Sequence, residues 1–70
     1  MESDWTPDRI RELRRRYDES QQEFCRRLGV GVDAYRLWEQ DRGKPSGPAL
    51  ILLGILEATA PRLTQLAKAR

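Results

Sequence analysis

The sequence predicts an all-α fold, a single domain of five short helices without strands. Three observations support this prediction: apolar residues recur at helical spacing, helix-start signals precede the apolar stretches, and glycine or proline interrupts them. A chain of 70 residues holds one domain, with a stability on the order of 5 kcal/mol. This length leaves no room for a catalytic domain beside a scaffold.

The first helix is predicted to begin after Thr6. Thr6 is a typical N-cap, and Pro7 suits the first helical position because its missing N–H costs nothing there. Trp5 and Ile10 have the spacing of a hydrophobic staple. The helix should end near Asp18. Its inward face consists of Ile10, Leu13 and Tyr17.

The second and third helices are short and separated by glycines. Ser20 and Glu23 fit a capping box, so the second helix begins at Gln21. Gly29 follows where helices commonly end in the left-handed conformation. The third helix begins at about Val32 and ends near residue 40. The apolar faces are Phe24, Cys25 and Leu28 in the second helix, and Tyr35 and Trp38 in the third.

A turn-rich segment over residues 41–45 leads to the fourth helix, predicted over residues 49–57. That helix is apolar nearly all round, which predicts burial on more than one side. Pro61 opens a fifth helix, whose inward residues are Leu63, Leu66 and Ala67.

Composition excludes several classes of function. The chain has no histidine and one cysteine, so no Cys/His zinc site and no internal disulfide is expected. It also lacks a paired nucleophile and base and a phosphate-cradling glycine loop, so we expect no enzyme. The longest apolar run, residues 49–56, is far shorter than the ~20 residues that span a bilayer. A single thiol without a signal peptide or lipidation motif fits a cytoplasmic protein.

Arginine dominates the basic residues, and seven arginines lie between positions 9 and 27. Arginine suits two-point contacts with phosphate. The same residues, including those at positions 14–16, also fit a solvated helix face with acidic neighbours. Charge alone therefore leaves a nucleic-acid surface and an ordinary solvated surface equally open.

The break between the second and third helices has the form of a helix-turn-helix unit over residues 20–40. Gly29 makes the turn, Val30 fills the space beneath it, and Cys25 is small enough to let the two helices cross closely. This arrangement would present the third helix outward.

These residues resemble the Cro and phage-repressor type (XRE family) of helix-turn-helix regulators, especially its small antitoxin-like members. The resemblance covers residues 5–66 and rests on SQQEF, small Cys25, LGV at 28–30, WEQ at 38–40 and PSGPAL at 45–50. It implies a five-helix repressor-like domain that binds operator DNA in the major groove through the third helix, usually as a symmetric dimer. We expect no cofactor.

The chain departs from the family pattern at three places. Gly31 stands where the third helix often has a Ser N-cap, and Asp41 stands where a Gly commonly follows the WEQ-like segment. The outer positions of the third helix also lack the Gln and Asn residues with which many relatives read adenine. The first two changes should affect local stability more than function.

By family position, the base-facing residues are Val32, Asp33, Arg36 and Leu37. Arg36 suits guanine, Asp33 suits cytosine N4, and Val32 suits a thymine methyl group. Alternatively, Asp33 complements the helix N-terminus and pairs with Arg36. Leu37 equally fits surface packing or a protein interface.

Expected phosphate contacts lie at two helix starts. Gln21 matches the family's phosphate-contacting Gln, and Ser46 and Gly47 open the fourth helix beside Arg42 and Lys44. Ordinary loop solubility is the alternative for Arg42 and Lys44. Tyr35 and Trp38 are expected in the core rather than as stacking platforms.

The expected partner is double-stranded DNA, bound by a homodimer, with a toxin-like protein as a further possible partner. The over-apolar fourth helix and the fifth would supply the dimer interface, through Leu52, Ile55, Leu56 and Leu63. A protein-interaction module that keeps this fold without reading DNA is the alternative function, favoured by Asp33 and Leu37. An RNA-binding role lacks exposed aromatic residues for stacking.

Overall fold

A computed structural model of the chain describes residues 5–60, and this range contains four α-helices and no strand. The helices are α1 (Pro7–Arg16), α2 (Gln21–Leu28), α3 (Val32–Glu39) and α4 (Pro48–Thr59). The chain is therefore all-α over the described residues. The predicted fifth helix, with Leu63, Leu66 and Ala67, lies outside them.

Side chains cap the first two helices as predicted. The Thr6 hydroxyl accepts a hydrogen bond from the Arg9 amide at 3.1 Å. Ser20 and Glu23 form a reciprocal capping box, with N···O distances of 3.1 and 2.8 Å. Hydrogen bonding from Ser20 also lowers the pKa of Glu23. Gly31 caps α3 without a side-chain hydrogen bond, since glycine has no side-chain acceptor.

The first three helices end in the same type of turn, with a residue in the left-handed conformation. These residues are Asp18 (φ 58°), Gly29 (φ 74°) and Asp41 (φ 61°). In each turn the next amide donates back to the carbonyl five residues earlier, a Schellman motif. The three bonds are Glu19 to Arg14 (3.4 Å), Val30 to Cys25 (3.1 Å) and Arg42 to Leu37 (2.8 Å).

The core lies where the inner faces of the four helices meet. Its most deeply buried side chains are Ile10, Leu13, Phe24, Tyr35 and Leu53. Aromatic rings contact one another in a row from Tyr17 to Phe24 to Tyr35 to Trp38, with centroids 6.1, 5.8 and 5.6 Å apart. The first pair is tilted and the other two are edge-to-face. Cys25 is buried with them, as expected for a packing residue, and burial raises the pKa of its thiol.

The helix α4 buries only one side, whereas the sequence predicted burial on more than one. Leu53 and Leu56 point into the core, but 68% of Ile51 and 54% of Ile55 are exposed. Gly54 and Ala58 are exposed as well. Residues at i, i+3, i+4 and i+7 share one helix face, so Ile51, Gly54, Ile55 and Ala58 form a continuous apolar surface, here called the α4 outer stripe.

Arg9 and Tyr17 connect α1 to the C-terminal end of α4. Arg9 pairs with Glu57 through two hydrogen bonds of 2.9 and 2.6 Å and also lies over the Trp5 ring, 4.0 Å from its centroid. The Tyr17 hydroxyl donates to the Leu56 carbonyl at 2.8 Å. These contacts fix the inner face of α4 and thereby determine which of its residues face solvent.

Candidate nucleic-acid interface

The outer face of α3 carries the four predicted base-facing residues, with different degrees of exposure. Asp33 and Arg36 are exposed, Val32 is half-buried, and Leu37 keeps 43% of its surface in solvent. The opposite face is anchored in the core by Tyr35 and Trp38, both buried as predicted. The structure thus leaves Asp33, Arg36 and Leu37 accessible on a firmly packed helix, whereas Val32 packs partly against the core.

Leu37 has a structural task that the sequence did not reveal. Its carbonyl accepts the Arg42 amide in the turn that ends α3. A Cβ atom added to Gly43 would lie 3.2 Å from the Leu37 Cβ, so the loop after α3 passes close over this side chain. Leu37 therefore supports the loop that carries Arg42 and Lys44.

Arg36 does not pair with Asp33 in the structure. Its Nε atom donates to the Gln21 side-chain oxygen at 3.3 Å. No ion pair forms between Arg36 and Asp33, which both belong to the described part of the chain. Asp33 is exposed in the first turn of α3. The predicted alternative of an Asp33–Arg36 pair is therefore wrong, whereas Asp33 does lie in the first turn of α3, where it complements the helix N-terminus.

Gln21 begins α2, as predicted, but its side chain is already engaged. The amide nitrogen donates to the Glu39 carboxylate at 3.0 Å, and the amide oxygen accepts from Arg36. The NH2 group of Gln21 has two hydrogens, and the bond to Glu39 uses one of them. The second hydrogen of this nitrogen is not used by either bond, so the expected phosphate contact of Gln21 stays a prediction.

Glu39 is the centre of a buried polar cluster that the sequence analysis missed. Only 7% of the residue is exposed, and its carboxylate accepts hydrogen bonds from Arg14 (2.8 Å), Gln21 and the Tyr35 hydroxyl. Burial alone would raise the pKa of Glu39, but these hydrogen bonds and the Arg14 charge lower it below its usual value. Glu39 is therefore ionised at neutral pH.

The surrounding groups complete this cluster. Burial and the bond to Glu39 raise the pKa of Tyr35, so its hydroxyl remains a donor. Arg11 donates to the Glu39 backbone carbonyl at 2.6 Å, and Arg14 donates to the Glu19 carbonyl at 3.1 Å. Arg14, which the sequence left between a solvated and a DNA-facing role, is instead a structural residue.

Most of the arginine-rich segment is likewise paired within the protein. Arg15 pairs with Glu12 at 3.5 Å, Arg16 donates to the Ala60 carbonyl at 3.2 Å, and Arg27 pairs with Glu19 while lying over the Tyr17 ring. Arg26 has no such partner among the described residues. Exposed basic side chains without an acidic partner in residues 5–60 are Arg26, Arg36, Arg42 and Lys44.

The start of α4 offers fewer donors to an anion than the sequence suggested. Pro48 has no N–H, and the Ala49 and Leu50 amides donate to the carbonyls of Ser46 (3.2 Å) and Gly47 (3.0 Å). Ser46 and Gly47 are exposed. A phosphate there would depend on these two residues and on Arg42 and Lys44, rather than on the first amides of the helix.

An open cleft of about 360 Å³ separates the α2–α3 turn from the start of α4. Val30, Trp38 and Leu52 line it, with Lys44 and Ser46 among the polar residues of its wall. Leu52, predicted at the dimer interface, therefore faces this cleft and is half-buried.

The structure places the other predicted interface residues in different surroundings. Ile55 lies on the α4 outer stripe, whereas Leu56 is 9% exposed and belongs to the core. The assignment of Leu56 to a dimer interface is wrong, because its side chain is used within the protomer. Leu63 lies outside the described residues.

Within residues 5–60 no helix has the length and apolar character needed to cross a membrane. No group of three or more potential metal-ligating side chains occurs in the same range. Compared with protein-family models, curated proteins and solved structures, the chain has no significant match in any of the three.

Proposed function

We propose that this protein is a cytoplasmic, sequence-specific DNA-binding transcriptional regulator of the Cro and phage-repressor type. In this proposal α2, residues 29–31 and α3 form the helix-turn-helix, and α3 enters the major groove. The observation that carries the proposal is the two-sided character of α3. Arg36 and Asp33 are exposed, while Tyr35, Trp38 and Glu39 hold the opposite face in the core.

In this proposal two polar side chains and one apolar side chain of α3 read the base sequence. Arg36 presents its terminal nitrogens to guanine O6 and N7, and Asp33 accepts from cytosine N4. Val32 contacts a thymine methyl group. A rigid, well-anchored helix suits this task, because base contacts need side chains held in a defined register against the groove.

Phosphate contacts would come from the loop between α3 and α4. Arg42, Lys44 and Ser46 are exposed on that loop, and Leu37 supports it from below. Side-chain contacts of this kind fix the position of a protein on DNA without reading its sequence, and they make binding depend on salt.

Two chains would bind a palindromic site, with their α3 helices about one DNA turn, ~34 Å, apart. The α4 outer stripe is the apolar surface available for this pairing. Ile51 and Ile55 are exposed there, and Glu57, the one charged residue of α4, is paired with Arg9. Two stripes would therefore meet without repulsion between like charges.

A protein-interaction module, such as an antitoxin-type partner-binding protein, is the second candidate. The exposed Ile51 and Ile55 and the acidic Asp33 favour it, because an exposed apolar face marks a protein contact and a carboxylate repels the DNA backbone. In this alternative the fold is kept without specific DNA readout.

Selection of bound duplexes from a random DNA pool at two salt concentrations tests the proposal. An enriched palindrome bound by two chains, measured by sedimentation, is the expected result. No enrichment from the folded protein would overturn the proposal in favour of the interaction module.

A paired substitution then tests the reading residue. Arg36→Ala should remove most of the preference for the selected duplex over a scrambled one. Arg26→Ala, which also removes one exposed arginine, serves as the control for charge and should keep the preference. Equal weakening of binding to both duplexes by Arg36→Ala would refute base reading by that residue.

A further inference from the structure

The side chain of Gln21 lies between a buried carboxylate and an exposed guanidinium. Its nitrogen is 3.0 Å from a Glu39 carboxylate oxygen, and its oxygen is 3.3 Å from Arg36 Nε. Glu39 belongs to the core, whereas Arg36 is exposed on the outer face of α3. Gln21 therefore links the polar cluster inside the protein to the predicted base-reading residue.

The chemistry of Glu39 fixes which way the Gln21 amide points. An ionised carboxylate only accepts hydrogen bonds, so the NH2 group of Gln21 must face it. The amide oxygen is then turned outward, where it offers an acceptor. Phosphate oxygens are acceptors and form no hydrogen bond with this amide oxygen. The Nε–H of Arg36 is a donor and does form one.

Glu39 also accepts three hydrogen bonds from two other residues. Arg14 Nε donates to it at 2.8 Å, the Tyr35 hydroxyl donates from the same helix, and Arg14 Nη2 adds a longer bond of 3.3 Å. None of the buried polar side-chain atoms of the described residues is left without a hydrogen-bond partner. The anchor to which Gln21 is attached is therefore rigid.

We infer that Gln21 is a positioning residue for Arg36, holding its Nε so that the two terminal nitrogens face the DNA. This inference rests on the proposed function, in which Arg36 reads a guanine. An arginine approaches guanine O6 and N7 with its terminal donors, so a bond to Nε leaves the reading edge unobstructed. Holding the side chain beforehand reduces the rotamer freedom lost on binding.

The first test uses the free protein and needs no DNA. The mobility of the Arg36 side chain is measured as the 15N order parameter of its Nε–H bond. We expect a high value in the unmodified protein and a fall to the level of Arg42 in Gln21→Met, which keeps the length of the side chain but removes both hydrogen bonds. Gln22→Met, the same change at the exposed neighbour, should leave Arg36 ordered. A backbone amide spectrum checks that each variant keeps its fold.

The second test measures DNA preference. Gln21→Met should reduce the preference for the selected duplex over a scrambled one roughly fivefold, a fraction of what a two-point base contact provides. The salt dependence should not change. In an Arg36→Ala background Gln21→Met should cause no further loss, because the two residues act through one contact.

The outcomes separate this inference from the proposed function. An Arg36 order parameter that is low in the unmodified protein, or unchanged by Gln21→Met, overturns the positioning role. Equal weakening of all duplexes with a shallower salt slope also overturns it and assigns Gln21 to a phosphate. Loss of Arg36 order in a protein that prefers no DNA sequence supports positioning but contradicts the proposed regulator.

Discussion

Arg14 on α1 and Glu39 at the end of α3 form a two-point ion pair across 25 residues of sequence, with N···O distances of 2.8 and 3.3 Å. The side chain of Glu39 is 6% exposed and that of Arg14 is 21% exposed. Removing one member of such a pair leaves a poorly solvated charge, which is more costly than losing a surface pair. This pair holds the back of the proposed recognition helix against α1.

Glu39→Gln should therefore lower the free energy of unfolding at pH 7 by about 3 kcal/mol. Urea denaturation with the fold monitored by circular dichroism measures this loss. Glu12→Gln is the matched control, because Glu12 pairs with Arg15 on the surface at 3.5 Å, and its effect should stay below about 0.5 kcal/mol. Comparable losses for the two variants would contradict the structural role of Glu39.

The same carboxylate should make stability depend on pH in a defined direction. The folded state lowers the pKa of Glu39, so its contribution is fully present above the unfolded pKa of about 4.3 and is lost as the pH falls through the folded pKa. The difference in stability between the unmodified protein and Glu39→Gln should shrink below about pH 4. Urea titrations at pH 7, 5 and 3.5 measure it, and a constant difference would contradict the assignment.

Two glycines provide a test of backbone conformation without a change in packing. A Cβ at Gly29 or Gly54 would meet no heavy atom within 4 Å, but only Gly29 has a positive φ, 74°. Gly29→Ala should destabilise the protein by about 1 kcal/mol, whereas Gly54→Ala should stabilise it by up to about 1 kcal/mol. Thermal unfolding of both variants checks the opposite signs.

Asp41 adopts the left-handed conformation, with φ 61°. Asp41→Gly should raise the free energy of unfolding by about 0.5 to 1 kcal/mol, because glycine enters this conformation without steric cost. Asp41→Ala, which removes the same carboxylate but keeps a Cβ, is the control. If both variants change stability alike, charge rather than backbone conformation is responsible.

Substitutions in the α4 outer stripe should disrupt self-association without unfolding the monomer. Ile55→Glu should leave the free energy of unfolding of the monomer within about 0.5 kcal/mol, because 54% of Ile55 is already exposed. The same change should convert a dimer into monomers, as measured by sedimentation. Leu53→Glu is the contrast: Leu53 is fully buried, so this variant should fail to fold. A folded, undisturbed dimer with Ile55→Glu would exclude the stripe from the interface.

Arg42 and Lys44 should act on all DNA sequences alike. Replacing both with alanine is expected to weaken binding to the selected and scrambled duplexes by the same factor and to reduce the slope of log K against log salt by about 1.8. Arg15→Ala is the control, since Arg15 is paired with Glu12. A loss confined to the selected duplex would show that the loop reads bases.

Local signals in the sequence predicted the helices well because caps and glycine turns act over a few residues. Thr6, Ser20 with Glu23, and Gly29 each performed the predicted role. The face of α4 was not predictable in the same way, because a helix apolar on all sides has no periodicity to mark its inner face. Only its packing against the other helices shows that Leu56 is inside and that Ile51 is outside.

The candidate site was harder to predict than the fold. The four outer residues of α3 were predicted from the family resemblance, but the partners of Arg14, Gln21 and Arg36 depend on how helices far apart in sequence pack together. Tyr35 and Glu39, at i and i+4, were the one local hint of the buried cluster. Nothing local indicated that a Gln at the start of α2 would turn its oxygen toward α3.

The internal pairing of the arginines also affects how this protein would encounter a charged partner. Paired charges largely cancel at a distance, so α1 contributes little long-range attraction to a polyanion despite its five arginines. Within residues 5–60 the attraction comes from the few exposed cations without an acidic partner, which are Arg26 on α2, Arg36 on α3, and Arg42 and Lys44 on the following loop. Collisions would then be guided mainly by the same surface that makes the final contact, which favours productive orientation over a high collision rate.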